Sequence, residues 1–124
     1  MSNDKKILIV DDEEDVRIFL GDFFMDRDFD VLTAGSGEEA LEIIEKKIPR
    51  VVLLDIMMPG MDGLQCLEKI KKKFPEISVV MITALKDEGR MAQAKKLGAH
   101  DYLVKPFSLN YLEAELHKIL TPKS

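Results

Sequence analysis

Four short apolar runs in this chain each end in a polar or charged side chain. Ile7-Leu8-Ile9-Val10 is followed by Asp11 and Asp12, Val51-Val52-Leu53-Leu54 by Asp55, Val79-Val80-Met81-Ile82 by Thr83, and Tyr102-Leu103-Val104 by Lys105. Runs this short and continuous predict fully buried parallel strands. Val31-Leu32-Thr33-Ala34 supplies one more strand, the second in chain order.

Amphipathic segments separate the runs. Val16, Phe19, Leu20, Phe23 and Phe24 recur at helical spacing after the first strand. Gly35 turns the chain, and Ser36 with Glu39 predicts a capping box for a helix carrying Ala40, Leu41, Ile43 and Ile44. Asp62 is the expected N-cap of a third helix with Leu64, Leu67 and Ile70 on its apolar face. The fourth helix is weaker: Gly89 interrupts it, Met91, Ala92, Ala94 and Leu97 give a thin stripe, and Gly98 closes it. Ser108 caps a fifth helix with Leu109, Leu112, Leu116 and Ile119 in register, and Pro122 ends it. Such alternation predicts a doubly wound α/β sandwich with helices on both faces of a parallel sheet.

Composition narrows the partners. At 124 residues the chain fits one domain spanning 1–124. A net charge of −5, with no basic run longer than Lys71-Lys72-Lys73, argues against direct nucleic-acid binding. No apolar stretch approaches the ~18 residues of a membrane span, and the residues after Met1 are polar, so membrane insertion and a signal sequence are not expected. A single cysteine, Cys66, suits a reducing cytoplasm and reads as a small buried hydrophobe on the third helix.

In an open parallel sheet, ligands bind beyond the carboxyl ends of the strands. That rule brings Asp11, Asp12, Asp55, Thr83 and Lys105 to one rim. Three carboxylates in one crevice raise one another's pKa or recruit a cation. Mg²⁺, a hard ion with oxygen ligands, answers that need, with Mn²⁺ as a substitute. A carboxylate can also accept a phosphoryl group as a nucleophile, provided positive charge meets the phosphoryl oxygens. Lys105 would add an ammonium to the metal's charge, and Thr83 a hydroxyl donor. Glu13 and Glu14 read more simply as acidic residues of a first helical turn.

In this order, several segments resemble the receiver domain of two-component response regulators. They are Ile7-Leu8-Ile9-Val10-Asp11-Asp12-Glu13, Asp55-Ile56-Met57-Met58-Pro59-Gly60-Met61-Asp62-Gly63, Ile82-Thr83-Ala84, and the stretch from Gly98 to Phe107 through Lys105-Pro106. The resemblance implies a flavodoxin-like (βα)5 fold with sheet order 2-1-3-4-5. It also implies Asp55 as phosphoacceptor, Asp11 and Asp12 as Mg²⁺ carriers, and a further ligand from the Met57 main-chain carbonyl. Thr83 and Tyr102 would form a switch pair, and Lys105-Pro106 a cis peptide. Met57 and Leu85 occupy the two positions that tune acyl-phosphate lifetime in such domains. Neither side chain can orient a water, so slow self-dephosphorylation is expected.

The resemblance implies a sensor histidine kinase or histidine phosphotransfer protein as donor, and a downstream protein as target. Output would be by docking or by onward phosphotransfer, from a monomer or a weak phosphorylation-dependent dimer. Arg90, Lys95, Asp101 and Glu113 are generic candidates for pairs across such a dimer. Separate substrate turnover is not expected: a dehalogenase-type phosphatase needs a second aspartate where this chain has Met57. A phosphorylation-silent scaffold would lack a site residue, and all five are present. A piece of a longer regulator with a DNA-binding or enzymatic domain is the alternative. Gly35-Ser36-Gly37 is a turn rather than a phosphate loop, His100 and His117 lack metal spacing, and Met57, Met58 and Met61 read as loop packing.

Overall fold

A computed structural model describes residues 5–84 and 88–120. Strands and helices alternate: β1 (Lys6–Val10), α1 (Glu14–Met25), β2 (Asp30–Ala34), α2 (Gly37–Lys47), β3 (Val51–Asp55), α3 (Gly63–Lys73), β4 (Ser78–Thr83), α4 (Glu88–Lys96), β5 (Asp101–Val104) and α5 (Leu109–Leu120). The five strands form one parallel sheet in the order β2-β1-β3-β4-β5. The expected topology is therefore the observed one.

Strand side chains alternate between two cores. Leu8, Val10, Val52, Leu54, Val79 and Met81 pack with residues of α2, α3 and α4. Ile7, Ile9, Val51, Leu53, Val80 and Ile82 pack with α1 and α5. Burial on both faces explains why β3 and the last five residues of β4 are uniformly buried. It does not extend to the sheet's edges. In β5 only Leu103 is fully buried, and β2 is largely half-buried or exposed, because each edge strand has a neighbour on one side only. The Val104 amide of β5 instead donates to the Tyr111 hydroxyl of α5, 2.9 Å away.

Helix ends follow local chemistry, with one departure at the start of α2. The Ser36 hydroxyl accepts from the Glu39 amide, but the Glu39 carboxylate bonds the amide of Gly35, one residue before the cap. The reciprocal capping box stands instead at Asp62 and Gln65, which bond each other's amides at 2.9 and 3.2 Å. On α1, Leu20, Phe23 and Phe24 are buried, whereas Phe19 is 36% exposed. It lies about 100° round the helix from Leu20, off the core-facing arc. Leu109, the first residue of α5, is also exposed, since it sits at the rim end where the sheet stops covering the helix. The thin stripe of α4 buries Ala94 alone among its residues.

Candidate functional site

β1, β3, β4 and β5 deliver their end residues to one place. Asp11, Asp55 and Thr83 are the buried polar residues of the described chain, and Asp12 beside them is exposed. Carboxylate oxygens of Asp11, Asp12 and Asp55 all lie within 4.8 Å of one another. The Lys105 ammonium enters from β5 and sits 3.0 Å from Asp11 Oδ2 and 3.5 Å from Asp55 Oδ2. Lys105-Pro106 is cis, as expected.

Main-chain bonds orient the carboxylates. The Met57 amide donates to Asp55 Oδ1 at 3.1 Å, and the Glu13 amide donates to Asp11 Oδ1 at 2.9 Å. Gly63 matters for a steric reason. A Cβ there would fall 2.2 Å from the Asp55 carbonyl oxygen and 2.6 Å from the Ile56 Cα. The Gly63 amide donates to the Ile56 carbonyl at 2.8 Å, so the start of α3 is pressed against the strand end that carries Asp55.

Burial is the main force on the Asp55 carboxyl. Together with the negative charge of Asp11 it raises the pKa from 3.8 to about 6, against the opposing pull of Lys105 and the Met57 amide. Burial acts on Lys105 in the opposite sense and favours the neutral amine. Hydrogen bonds to Asp11 and Glu13, with the charges of Asp55 and Asp11, outweigh it and raise the ammonium's pKa.

The residues fit a hard divalent cation. Three carboxylates converge at ligand spacing, and the buried Asp11 Oδ2 has the Lys105 ammonium, 3.0 Å away, as its polar neighbour, in a geometry too poor to satisfy it fully. A cation there would satisfy that oxygen and relieve the charge repulsion that adds to burial in raising the Asp55 pKa.

Two participants escaped the sequence reading. Glu13 is the N-cap of α1 rather than part of its first turn, makes no side-chain cap, and places its carboxylate 3.0 Å from the Lys105 ammonium. Arg17 donates to the Asp11 carbonyl oxygen at 2.6 Å. The signal for each was present as a charged residue within six positions of Asp11, but only the folded geometry distinguishes it from a solvated one.

Thr83 and Tyr102 share one face of the sheet. Tyr102 pairs in register with Met81, two residues before Thr83, and its half-buried ring packs on the α2–α4 core side. Leu85 lies outside the described residues. Of the possible dimer pairs, Asp101 lies 3.9 Å from Lys118 and Glu113 pairs with Arg27 of α1, so both carboxylates already have partners within the chain. His100 bonds the Lys118 carbonyl, which is a structural role.

A parallel five-stranded sheet with an acidic pocket at its carboxyl rim, faced by a strand-end lysine, defines a class that known proteins share. The response regulator receiver domain family matches residues 7–117, and the chain belongs to it. Among curated relatives, a probable transcriptional regulator, ycf27, of Cyanophora paradoxa is 42% identical over 95% of this chain and 49% of its own length. The sporulation initiation phosphotransferase F of Bacillus subtilis is 37% identical over 97% of both. The Vibrio cholerae chemotaxis protein CheY4 superposes with a TM-score of 0.87 at 28% identity, covering 92% of this chain and 97% of that one. NtrX of Brucella abortus gives a TM-score of 0.87 at 37% identity, over 93% of this chain and 26% of that one. The chain spans about half the length of several of the curated relatives it matches.

Proposed function

We propose that this receiver domain takes a phosphoryl group onto Asp55 from a phosphohistidine of a sensor kinase or phosphotransfer protein. A carboxylate oxygen of Asp55 would bond to phosphorus as the phosphorus–nitrogen bond breaks. The departing imidazole keeps the electron pair and takes a proton from solvent. Support comes chiefly from one observation: a buried carboxylate at a strand end faces two further carboxylates and a paired ammonium within one small pocket. Asp11, Asp12, Asp55 and the Met57 carbonyl would hold Mg²⁺ or Mn²⁺. When bound, that ion would neutralise phosphoryl oxygens and favour the trigonal transition state.

The chain's own residues have separable tasks. Asp55 is the nucleophile, oriented by the Met57 amide. Lys105, held by Asp11 and Glu13, is positioned to move its ammonium onto a phosphoryl oxygen once Asp55 is modified. Thr83 would donate its hydroxyl to another of those oxygens. A phosphoryl group adds about −1.5 to −2 charge at the rim. Drawing Thr83 toward it would change the space available to the Tyr102 ring and alter the face formed by α4, β5 and α5 for a downstream protein. Location in the cytoplasm, the absence of separate substrate turnover, and a monomer or weak dimer as the working form belong to the same proposal. Similarity to regulators about twice as long also favours a second reading, in which the domain controls an attached DNA-binding or enzymatic part.

The test is incubation with phosphoramidate and Mg²⁺, read by intact mass. Wild type should gain one phosphoryl group, and Asp55→Asn or chelated samples should gain none. No gain by wild type, or equal gain by Asp55→Asn, overturns the proposal.

A further inference from the structure

The rim of the site has an outer element that the proposed chemistry does not use. Met57 follows Asp55 by two residues, and its main chain already serves the acceptor through the amide bond to Asp55 Oδ1. The residue is 60% exposed. An unbranched thioether at that exposure would ordinarily sample many rotamers. Here the Met57 sulfur is in contact with Nη1 of Arg90, which reaches across from the first turn of α4. Arg90 also walls a hollow of about 450 Å³ with Met57, Met58, Pro59, Gly60 and Asp62. On its other side it lines the groove between α3 and α4. One guanidinium therefore links the loop after the acceptor to a helix that fully buries only Ala94.

We propose that Arg90 is a positioning residue that holds the Met57 side chain beside the mouth of the Asp55 pocket, so that α4 sets the lifetime of an acyl phosphate formed there. The inference rests on the reading of Asp55 as phosphoacceptor. Loss of the phosphoryl group requires water to attack phosphorus. As the new oxygen–phosphorus bond forms, the bond to the Asp55 carboxylate oxygen breaks, the carboxylate keeps the electron pair, and the water protons pass to phosphate and solvent. An apolar side chain fixed beside the pocket restricts that approach, and a freely rotating one restricts it less. Arg90 acts on the reaction only through Met57. Because α4 has so little buried area, a ligand or partner that displaces it would release Met57 and shorten the phosphorylated state.

The experiment is a double-mutant cycle on the decay of the phosphorylated protein. Wild type, Arg90→Ala, Met57→Ala and the double variant are phosphorylated with phosphoramidate and Mg²⁺, freed of donor, and followed by intact mass. Thermal melts are recorded alongside. Arg90→Ala should decay about threefold faster than wild type, and should add nothing in the Met57→Ala background. Decay of Arg90→Ala at the wild-type rate overturns the proposal. So does an Arg90→Ala effect of equal size with and without Met57, since the guanidinium would then act directly on the phosphoryl charge. A difference in melting that accounts for the rate change by local unfolding also overturns it. Failure of wild type to gain a phosphoryl group at all would instead overturn the reading of Asp55.

Discussion

Asp55 is held in a protonation balance that ordinary surface carboxylates do not share. Its folded pKa of about 6 exceeds the reference 3.8, so the folded state binds this proton more tightly than the unfolded chain does. The resulting stability is fully present below 3.8 and is lost as the pH rises through about 6. In the metal-free protein at neutral pH, the buried charge costs on the order of 2–3 kcal/mol. Asp55→Asn should therefore be more stable than wild type in chelator at pH 7, and the gap should narrow by pH 5.5. Urea melts at the two pH values check this, and a variant no more stable at pH 7 contradicts it. At this scale the sequence was informative where a reactive group ended an apolar run: Asp11, Asp55, Thr83 and Lys105 all stand where strand-end logic put them. It was uninformative for Glu13 and Arg17, whose roles depend on how α1 leaves β1, which no local pattern encodes.

Helices and strands were legible to different degrees, and burial explains the difference. β1, β3 and β4 carry a continuous apolar signal because both their faces are covered. The edges β2 and β5 are covered less, and Tyr102 on β5 stays half-buried. Gly63 was visible only as a member of a motif, because a close approach between backbones leaves no periodic trace. Gly63→Ala should destabilise the domain by about 3 kcal/mol or more, since the new methyl meets main-chain atoms that a rotamer change cannot move. A loss below about 1 kcal/mol by denaturant melts would show that α3 shifts freely. The thin stripe of α4 foretold its shallow packing. Amide hydrogen exchange should find α4 less protected than α3, whose Cys66, Leu67 and Ile70 are fully buried. Equal protection would contradict the assignment of α4 as the loosely held element.

For the molecule as a whole, the alternation of elements predicted the layers, but the strand order came from family resemblance. Register between distant strands depends on crossovers that binary patterning leaves open. Once the order is β2-β1-β3-β4-β5, the site follows, since Asp11 and Asp55 lie at the ends of adjacent strands and Lys105 closes the pocket from β5. Among the described residues no helix is long and apolar enough to cross a membrane. The acidic pocket predicts that saturating Mg²⁺ stabilises the wild-type fold by about 1–3 kcal/mol through mass action, and that Asp11→Asn loses most of the gain. Melts with and without Mg²⁺ check it, and an unchanged wild-type midpoint contradicts the metal assignment. The most direct test of the central claim is to locate the phosphoryl group after reaction with phosphoramidate and Mg²⁺. Acyl phosphates are reduced by borohydride, so peptide mass spectrometry should find one reduced side chain, at Asp55. Reduction at Asp11 or Asp12, with Asp55 unchanged, would contradict the account.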